Sequence, residues 1–244
     1  MLKNGAASFI DRFFYFTSNL INIFFPAFCV NCHKSSTYPY MPLCQNCRSQ
    51  IKFIKDHRVF NEINSKSIVS FFALGYYEGV LRNLIISFKY HKKTFLSAFF
   101  VSELLKHLVD MTIFDLSGRF DIIIPIPLHP KKLKERGFNQ SDLLAIELSR
   151  ITGIEVCCDA ALRIKETLPQ NKLKLEERFK NLEDAFEINS KKIYQINGKN
   201  VIIIDDILTT GATAENMARS LKRHGARNII FLSIAKTSIN RVKV

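Results

Sequence analysis

The stretch that most constrains this chain is Val201-Ile202-Ile203-Ile204-Asp205-Asp206-Ile207-Leu208-Thr209-Thr210-Gly211-Ala212-Thr213. Its β-branched start has no polar break, as a strand buried on both faces of a parallel sheet requires. Open α/β sheets receive ligands beyond the carboxyl ends of their strands, which is where this reading places Asp205 and Asp206. From Thr213 onward, Ala214, Met217, Ala218 and Leu221 recur with helical period, and Gly225 follows the basic turn Lys222-Arg223-His224 as a stop. Thr209–Thr213 therefore falls at a helix N-terminus, where free N–H groups and the dipole favour a phosphate. Gly211 permits close backbone approach, and the Thr hydroxyls can donate to phosphate oxygens. Paired carboxylates beside a phosphate suit the vicinal hydroxyls of a sugar, and can help place Mg²⁺ through water. No Lys follows the glycine, which excludes a Walker loop, and a single glycine excludes a dinucleotide fingerprint.

Asp205 to Thr213 resembles the PRPP loop of the type I phosphoribosyltransferases (PRPP is 5-phosphoribosyl 1-diphosphate). The resemblance implies that Asp205 and Asp206 hold the ribose as the catalytic acids. It also implies that Thr209, Thr210, Gly211, Ala212 and Thr213 wrap the 5-phosphate.

Two Cys-x-x-Cys pairs, Cys29/Cys32 and Cys44/Cys47, stand eleven residues apart. Each pair can chelate from one tight turn, and four thiolates close the tetrahedron of structural Zn, leaving no position for catalysis. Disulfides fit poorly with this spacing and with the lack of an export signal. His33 is unnecessary as a ligand, and Cys157-Cys158 reads as packing. Upstream, Phe9, Phe13, Phe16, Leu20 and Phe24 suggest a helix with one apolar face, interrupted by Asp11 and Arg12 and so unsuited to spanning a bilayer. Such a face docks on the protein itself or meets a membrane surface or partner.

A second buried strand, Asp121–Ile124, ends in Pro125-Ile126-Pro127-Leu128-His129, an irregular loop by its prolines. Lys131, Lys132, Lys134 and Arg136 follow, and a helix begins near Ser141. These cations can neutralise a pyrophosphate leaving group, or form an ordinary solvated turn. A third polar stretch, Arg163 to Asp184, carries Gln170, Lys172, Lys174 and Arg178. It reads as a mobile lid, a nucleic-acid surface or an exposed linker helix. Ile68–Tyr77 and Asn228–Ala235 read as further strands, Val80–Tyr90 and Leu96–Val109 as helices, and Lys236–Val244 as a basic tail. The chain carries 35 Lys+Arg against 22 Asp+Glu, a formal +13 that favours polyanionic partners.

The four-Cys knuckle, Phe88-Lys89-Tyr90, Pro125–His129, Arg136-Gly137-Phe138-Asn139-Gln140, Arg163…Gln170, Arg178…Phe186 and the PRPP loop occur together, in order. This series resembles the ComF family from about Phe25 to the C-terminus. The expected fold is α/β: a type I phosphoribosyltransferase-like parallel sheet flanked by helices (61–244), with a small N-terminal helix and zinc-binding module (1–60). The resemblance implies PRPP bound with Mg²⁺, and His129, Arg136, Asn139, Gln140, Arg163 and Gln170 forming the basic pyrophosphate side. It also implies single-stranded DNA handled during natural transformation, beside a helicase-type competence ATPase. The setting would be cytoplasmic, with at most peripheral contact at the inner face of the membrane. Candidate DNA contacts are Lys131, Lys132, Lys134, Lys172, Lys174 and Arg178, with Phe138 and Phe179 as stacking rings. The alternative is an active phosphoribosyltransferase that delivers phosphoribose to a nucleobase or similar acceptor.

Overall fold

A computed structural model describes residues 28–35, 41–61, 63, 65–110, 116, 118–165 and 185–238. The chain divides into two compact units, Met1–Ile51 and Lys52–Val244. The proposed N-terminal helix up to residue 27, the basic tail from residue 239, and Phe179, Gln170, Lys172, Lys174 and Arg178 lie outside the described residues.

In the first unit the chain folds back through a bridge between Phe28 and Ser35, and one short helix, α1, spans Gln45–Ser49. The main chain of Cys29 donates to Lys34, that of His33 to Cys29, and that of Val30 to Pro42. His33 has a φ of 59°, which closes the first Cys-x-x-Cys turn.

The second unit is built on a five-stranded parallel sheet in the order β1-β7-β6-β2-β3. The strands are β1 Ser70–Tyr76, β2 Ile122–Pro125, β3 Glu155–Val156, β6 Val201–Leu208 and β7 Ile229–Lys236. Two short strands, β4 Ala161–Arg163 and β5 Phe186–Ile188, pair as an antiparallel ribbon. Val201 to Ile204 are fully buried, as the unbroken apolar run demands. Along one face, Ile122, Ile124, Val201, Ile203, Ile229 and Phe231 pack with Ala214, Met217, Ala218 and Leu221 of a late helix. Burial of each such large side chain contributes about 1.5–3 kcal/mol, so this face alone outweighs any single polar contact in the unit.

The helices are α2 Gly79–Tyr90, α3 Leu96–Asp110, α4 Pro130–Arg136, α5 Gln140–Thr152, α6 Ile193–Ile196 and α7 Ala212–Arg223. In α2 the buried residues Val80, Leu81, Leu84, Ile85 and Phe88 form the stripe expected of a helix docked on a sheet. Helix α5 packs on β2 and β6, and α7 packs on β6 and the ribbon. The ribbon is fastened to α7 by Ser220 Oγ donating to the Phe186 carbonyl at 3.2 Å. Among the described residues no helix is long and apolar enough to cross a membrane.

Two expectations need correction. Strand β6 does not stop at the first acid; it runs through Leu208, so Asp205 and Asp206 lie inside the ladder. The cause is the neighbour: β7 continues to Lys236, and its backbone pairs Asp205 with Ser233 and Leu208 with Lys236, whatever the side chains. The basic segment after Pro125–His129 is not an irregular loop either, because Pro130–Arg136 forms a helix. Pro130 suits the first helical position, His129 Nδ1 accepts from the Lys131 N–H at 3.4 Å, and Gly137, at φ 84°, closes the end.

Candidate functional site

A cavity of about 270 Å³ opens at the carboxyl end of the sheet, with walls from α2, the β2–α4 segment, α4, α5, β4, β6 and the start of α7. Asp205, Asp206, Thr209, Thr213, Arg136, Gln140, Lys132 and Arg163 all line it. These residues span most of the second unit in sequence, and only the fold brings them together.

Lys89, the penultimate residue but one of α2's last turn, reaches Asp206 with Nζ 2.8 Å from Oδ1, and both side chains are largely buried. Burial alone works to lower the Lys89 pKa, but the Asp206 carboxylate outweighs it and the net shift is upward. Asp205 is held differently. Its Oδ1 accepts from Ser141 Oγ at 2.8 Å and from the Asp206 N–H at 2.9 Å. Burial, helped by the adjacent Asp206 charge, raises the Asp205 carboxyl to about 7 against the opposing pull of Lys89 and Ser141. Two acids side by side in a strand are thus given different environments, one paired with a cation and one with a hydroxyl. Lys89 and Ser141 are not among the sequence-derived site residues. The signal for Lys89 was present, a cation between apolar neighbours in Phe88-Lys89-Tyr90, but its partner lies far along the chain.

Beyond the acids the chain turns through Thr209, Thr210 and Gly211 into α7, which starts at Ala212 rather than Thr213. Gly211 has a φ of 81°, and a Cβ there would lie 2.6 Å from Ile63 Cγ2, so only glycine fits this turn. The Ala212 N–H donates to Thr210 Oγ1 at 3.4 Å. Glu215, one turn in, accepts from Ser65 and Ser67, which ties the 63–68 segment to the helix start.

On the opposite wall Arg136 stacks on the ring of Tyr90, 5.1 Å from the centroid, and donates through Nη1 to Gln140 Oε1. Asn139 caps α5 and ties it to β2 by donating to the Ile126 carbonyl at 3.1 Å and to Asp142 at 2.7 Å. Burial lifts Asp142 to about 6, with Asn139 pulling against it. Asn139 and His129 therefore act as helix caps and do not line the cavity. Arg163 arrives from β4, and burial lowers its pKa while Asp205 counters. Lys131 and Lys134 are exposed on α4, outside the cavity. Phe138 is half-buried with its ring 6.2 Å from that of Phe88, so it is a packing residue.

The four thiols of Cys29, Cys32, Cys44 and Cys47 lie within 4.8 Å of one another. Cys32 Sγ and Cys44 Sγ are 3.8 Å apart. Sulfurs about 2.3 Å from a tetrahedral ion are separated by about 3.8 Å, whereas a disulfide needs about 2 Å. The cluster can therefore hold a metal ion, and its soft, closed donor set fits zinc. Although burial opposes it, backbone N–H groups of Cys32, Cys44 and Asn31 bring the Cys29 thiol down to about 6, while burial pushes Cys47 up to about 12. Asn31 Nδ2 also donates to Cys47 Sγ at 3.3 Å, a contact with no sequence signal. Exposed His33 stands outside the cluster.

Comparison with known proteins agrees with this geometry. A family model described as "Phosphoribosyl transferase domain" matches residues 162–243. Competence protein F of Haemophilus influenzae is 28% identical over 214 residues, covering 85% of this chain and 90% of that protein. The DNA utilization protein YhgH of Shigella flexneri is 35% identical over 117 residues, 48% of this chain and 50% of that protein. Competence protein ComFC of Bacillus subtilis is 36% identical over 104 residues, 43% of this chain and 39% of that protein. The chain thus matches half or less of the last two relatives' lengths. Among solved structures, adenine phosphoribosyltransferase from Thermoanaerobacter pseudethanolicus aligns with a TM-score of 0.36 at 20% identity, over 60% of this chain and 83% of that one.

The parallel sheet, its flanking helices and the matched domain define a protein of the phosphoribosyltransferase fold class with a four-cysteine module before it. Within that class, the chain belongs to the ComF family.

Proposed function

We infer that this protein binds PRPP with Mg²⁺ in the cavity and serves DNA uptake by handling single-stranded DNA. One observation carries the first half. Asp205 and Asp206, braced by Ser141 and Lys89, face the same cavity as the Thr209–Thr213 turn at the α7 N-terminus. A pair of carboxylates accepts the two ribose hydroxyls, and the turn's N–H groups and hydroxyls receive the 5-phosphate. Arg136, Gln140 and Arg163 make up the pyrophosphate side. Mg²⁺ suits this carboxylate-rich wall, where water-mediated contacts to Asp205 and Asp206 would hold it and offset the charge of the ligand. The cysteine cluster would hold Zn as a structural ion, since four thiolates leave no open position.

The DNA half rests on the names of the relatives, one a DNA utilization protein and two competence proteins, and on the net +13 charge. Lys131 and Lys134 extend the basic character from the cavity onto the exposed face of α4. A cytoplasmic setting, peripheral to the membrane and beside a helicase-type ATPase, follows from the same reading.

The test is calorimetric titration of Mg²⁺·PRPP into the wild type and Asp206→Ala, repeated with an oligonucleotide present. Binding by the wild type, none by the variant, and coupling or competition by DNA support the reading. No PRPP binding at millimolar ligand removes the first half, and oligonucleotide affinity that ignores salt removes the second.

A second reading, transfer of phosphoribose to a base, is favoured by apolar Ile126, Leu128 and Ile207 beside the acids in the cavity wall, with Tyr90 at its edge. These offer a surface on which a planar acceptor can rest. Base-dependent release of pyrophosphate distinguishes the two.

A further inference from the structure

Gln140 is 1% exposed and lines the cavity, yet its Nε2 has no hydrogen-bond partner. A buried donor left unmade costs about 1–3 kcal/mol, which proteins rarely tolerate without a use for it. The amide cannot simply be turned over. Arg136 Nη1 donates to Gln140 Oε1, and flipping the amide would set two donors face to face. Arg136 is itself held against the Tyr90 ring, so the amide orientation is fixed from two sides.

The position of this donor restricts what it meets. Gln140 is the first residue of α5, a 13-residue helix capped by Asn139, so its surroundings carry the positive end of the helix dipole. The next residue, Ser141, touches Asp205 at 2.8 Å. Lys132 and Arg136 stand on the other side of Gln140, along the cavity wall. The 5-phosphate turn lies on a different element, at the start of α7. A ligand group here sits next to the ribose acids, away from the 5-phosphate, and among donors and cations. That group is anionic oxygen on the anomeric substituent of the sugar.

We propose that Gln140 is the specificity-determining donor for the diphosphate of the bound sugar phosphate, and that Arg136 is a positioning residue that locks its amide. The inference rests on the PRPP reading and refines it. Diphosphate recognition then depends on a neutral, pre-aimed amide at a helix start, and the Arg136 charge acts partly through that amide. A ribose 5-phosphate without the diphosphate makes no use of Gln140.

The experiment compares Mg²⁺·PRPP and ribose 5-phosphate by calorimetry on the full zinc-loaded chain, in wild type, Gln140→Met and Gln140→Glu. Gln140→Met removes the donor and keeps the volume. Gln140→Glu removes the donor but keeps an acceptor for Arg136, so it reports even if the methionine variant folds poorly. The expected result is PRPP affinity weakened by about tenfold or more in both variants, as for a lost hydrogen bond to a charged group. Ribose 5-phosphate binding stays within about twofold of wild type, and the melting temperature of the ligand-free chain is retained, because Nε2 has no partner to lose. Arg136→Lys, which keeps the charge but not the planar fork, weakens PRPP selectively as well. Equal weakening of both ligands, or no weakening of PRPP, overturns the proposal while leaving the PRPP site standing. Absence of PRPP binding by the wild type removes both together.

Discussion

Replacing Lys89 with methionine is the most direct test of how the cavity is held. The Nζ of Lys89 lies 2.8 Å from Asp206 Oδ1, with side-chain exposures of 16% and 8%. At an effective dielectric constant of about 20, two unit charges at that distance attract by about 6 kcal/mol. Desolvation of the lysine offsets part of this attraction, and removing one partner of a buried pair typically costs about 3–5 kcal/mol. Taking about 3 kcal/mol, a unit of this size melts about 6–12 °C lower. The direction with pH can also be stated. Lys89 titrates above its ordinary value, so its stabilising effect is complete at neutral pH and is lost only as pH rises through that raised pKa. Asp205, already raised to about 7 with Lys89 pulling it down, titrates higher still once the lysine is gone. The deficit against wild type therefore grows from pH 6 to pH 8, as Asp205 ionises without its nearby cation. Thermal unfolding of Lys89→Met, Asp206→Asn and the double variant at both pH values measures this. The double variant should recover much of the loss, because no carboxylate at 206 is left without a cation. A Lys89→Met protein that melts with wild type at pH 8, or whose deficit is the same at both pH values, refutes the reasoning.

Other outcomes follow from the same geometry. Gly211→Ala forces a Cβ into a left-handed turn at φ 81° and against Ile63, and should cost about 1–3 kcal/mol by unfolding while weakening a sugar phosphate at the turn. Gly75→Ala sets a Cβ 2.8 Å from the Lys52 carbonyl, which accepts from Tyr76; faster amide exchange at Tyr76 and Ile54 would report the displaced segment. Cys47→Ser, or a strong chelator, should release one zinc per chain in a colorimetric assay and unfold residues 28–51, since the thiolates have little apolar core behind them. Affinity for Mg²⁺·PRPP should rise roughly tenfold from pH 6 to pH 8 as Asp205, at about 7, ionises to accept sugar hydroxyls; Asp205→Asn should flatten that profile.

Residue pattern alone was enough for the elements that depend on neighbours in sequence. The Val201–Ile204 run had to be a buried strand, the stripe from Ala214 to Leu221 had to be a docked helix, and two Cys-x-x-Cys turns had to chelate. Each rests on short-range geometry: strand alternation, helical period, or the reach of one turn. The tertiary structure decided where those elements meet. That β6 continues past its acids depends on β7 running alongside, and that Lys89 neutralises Asp206 depends on α2 packing over the sheet. The same holds for Ser141 on Asp205 and Arg136 on Gln140, and for the demotion of Phe138 from exposed ring to packing residue. A hydrogen bond or ion pair is specified by the distance between two atoms. Residues 89 and 206 acquire that distance only when the sheet has formed, so the ligand class was readable in one loop while the electrostatics that support it were not.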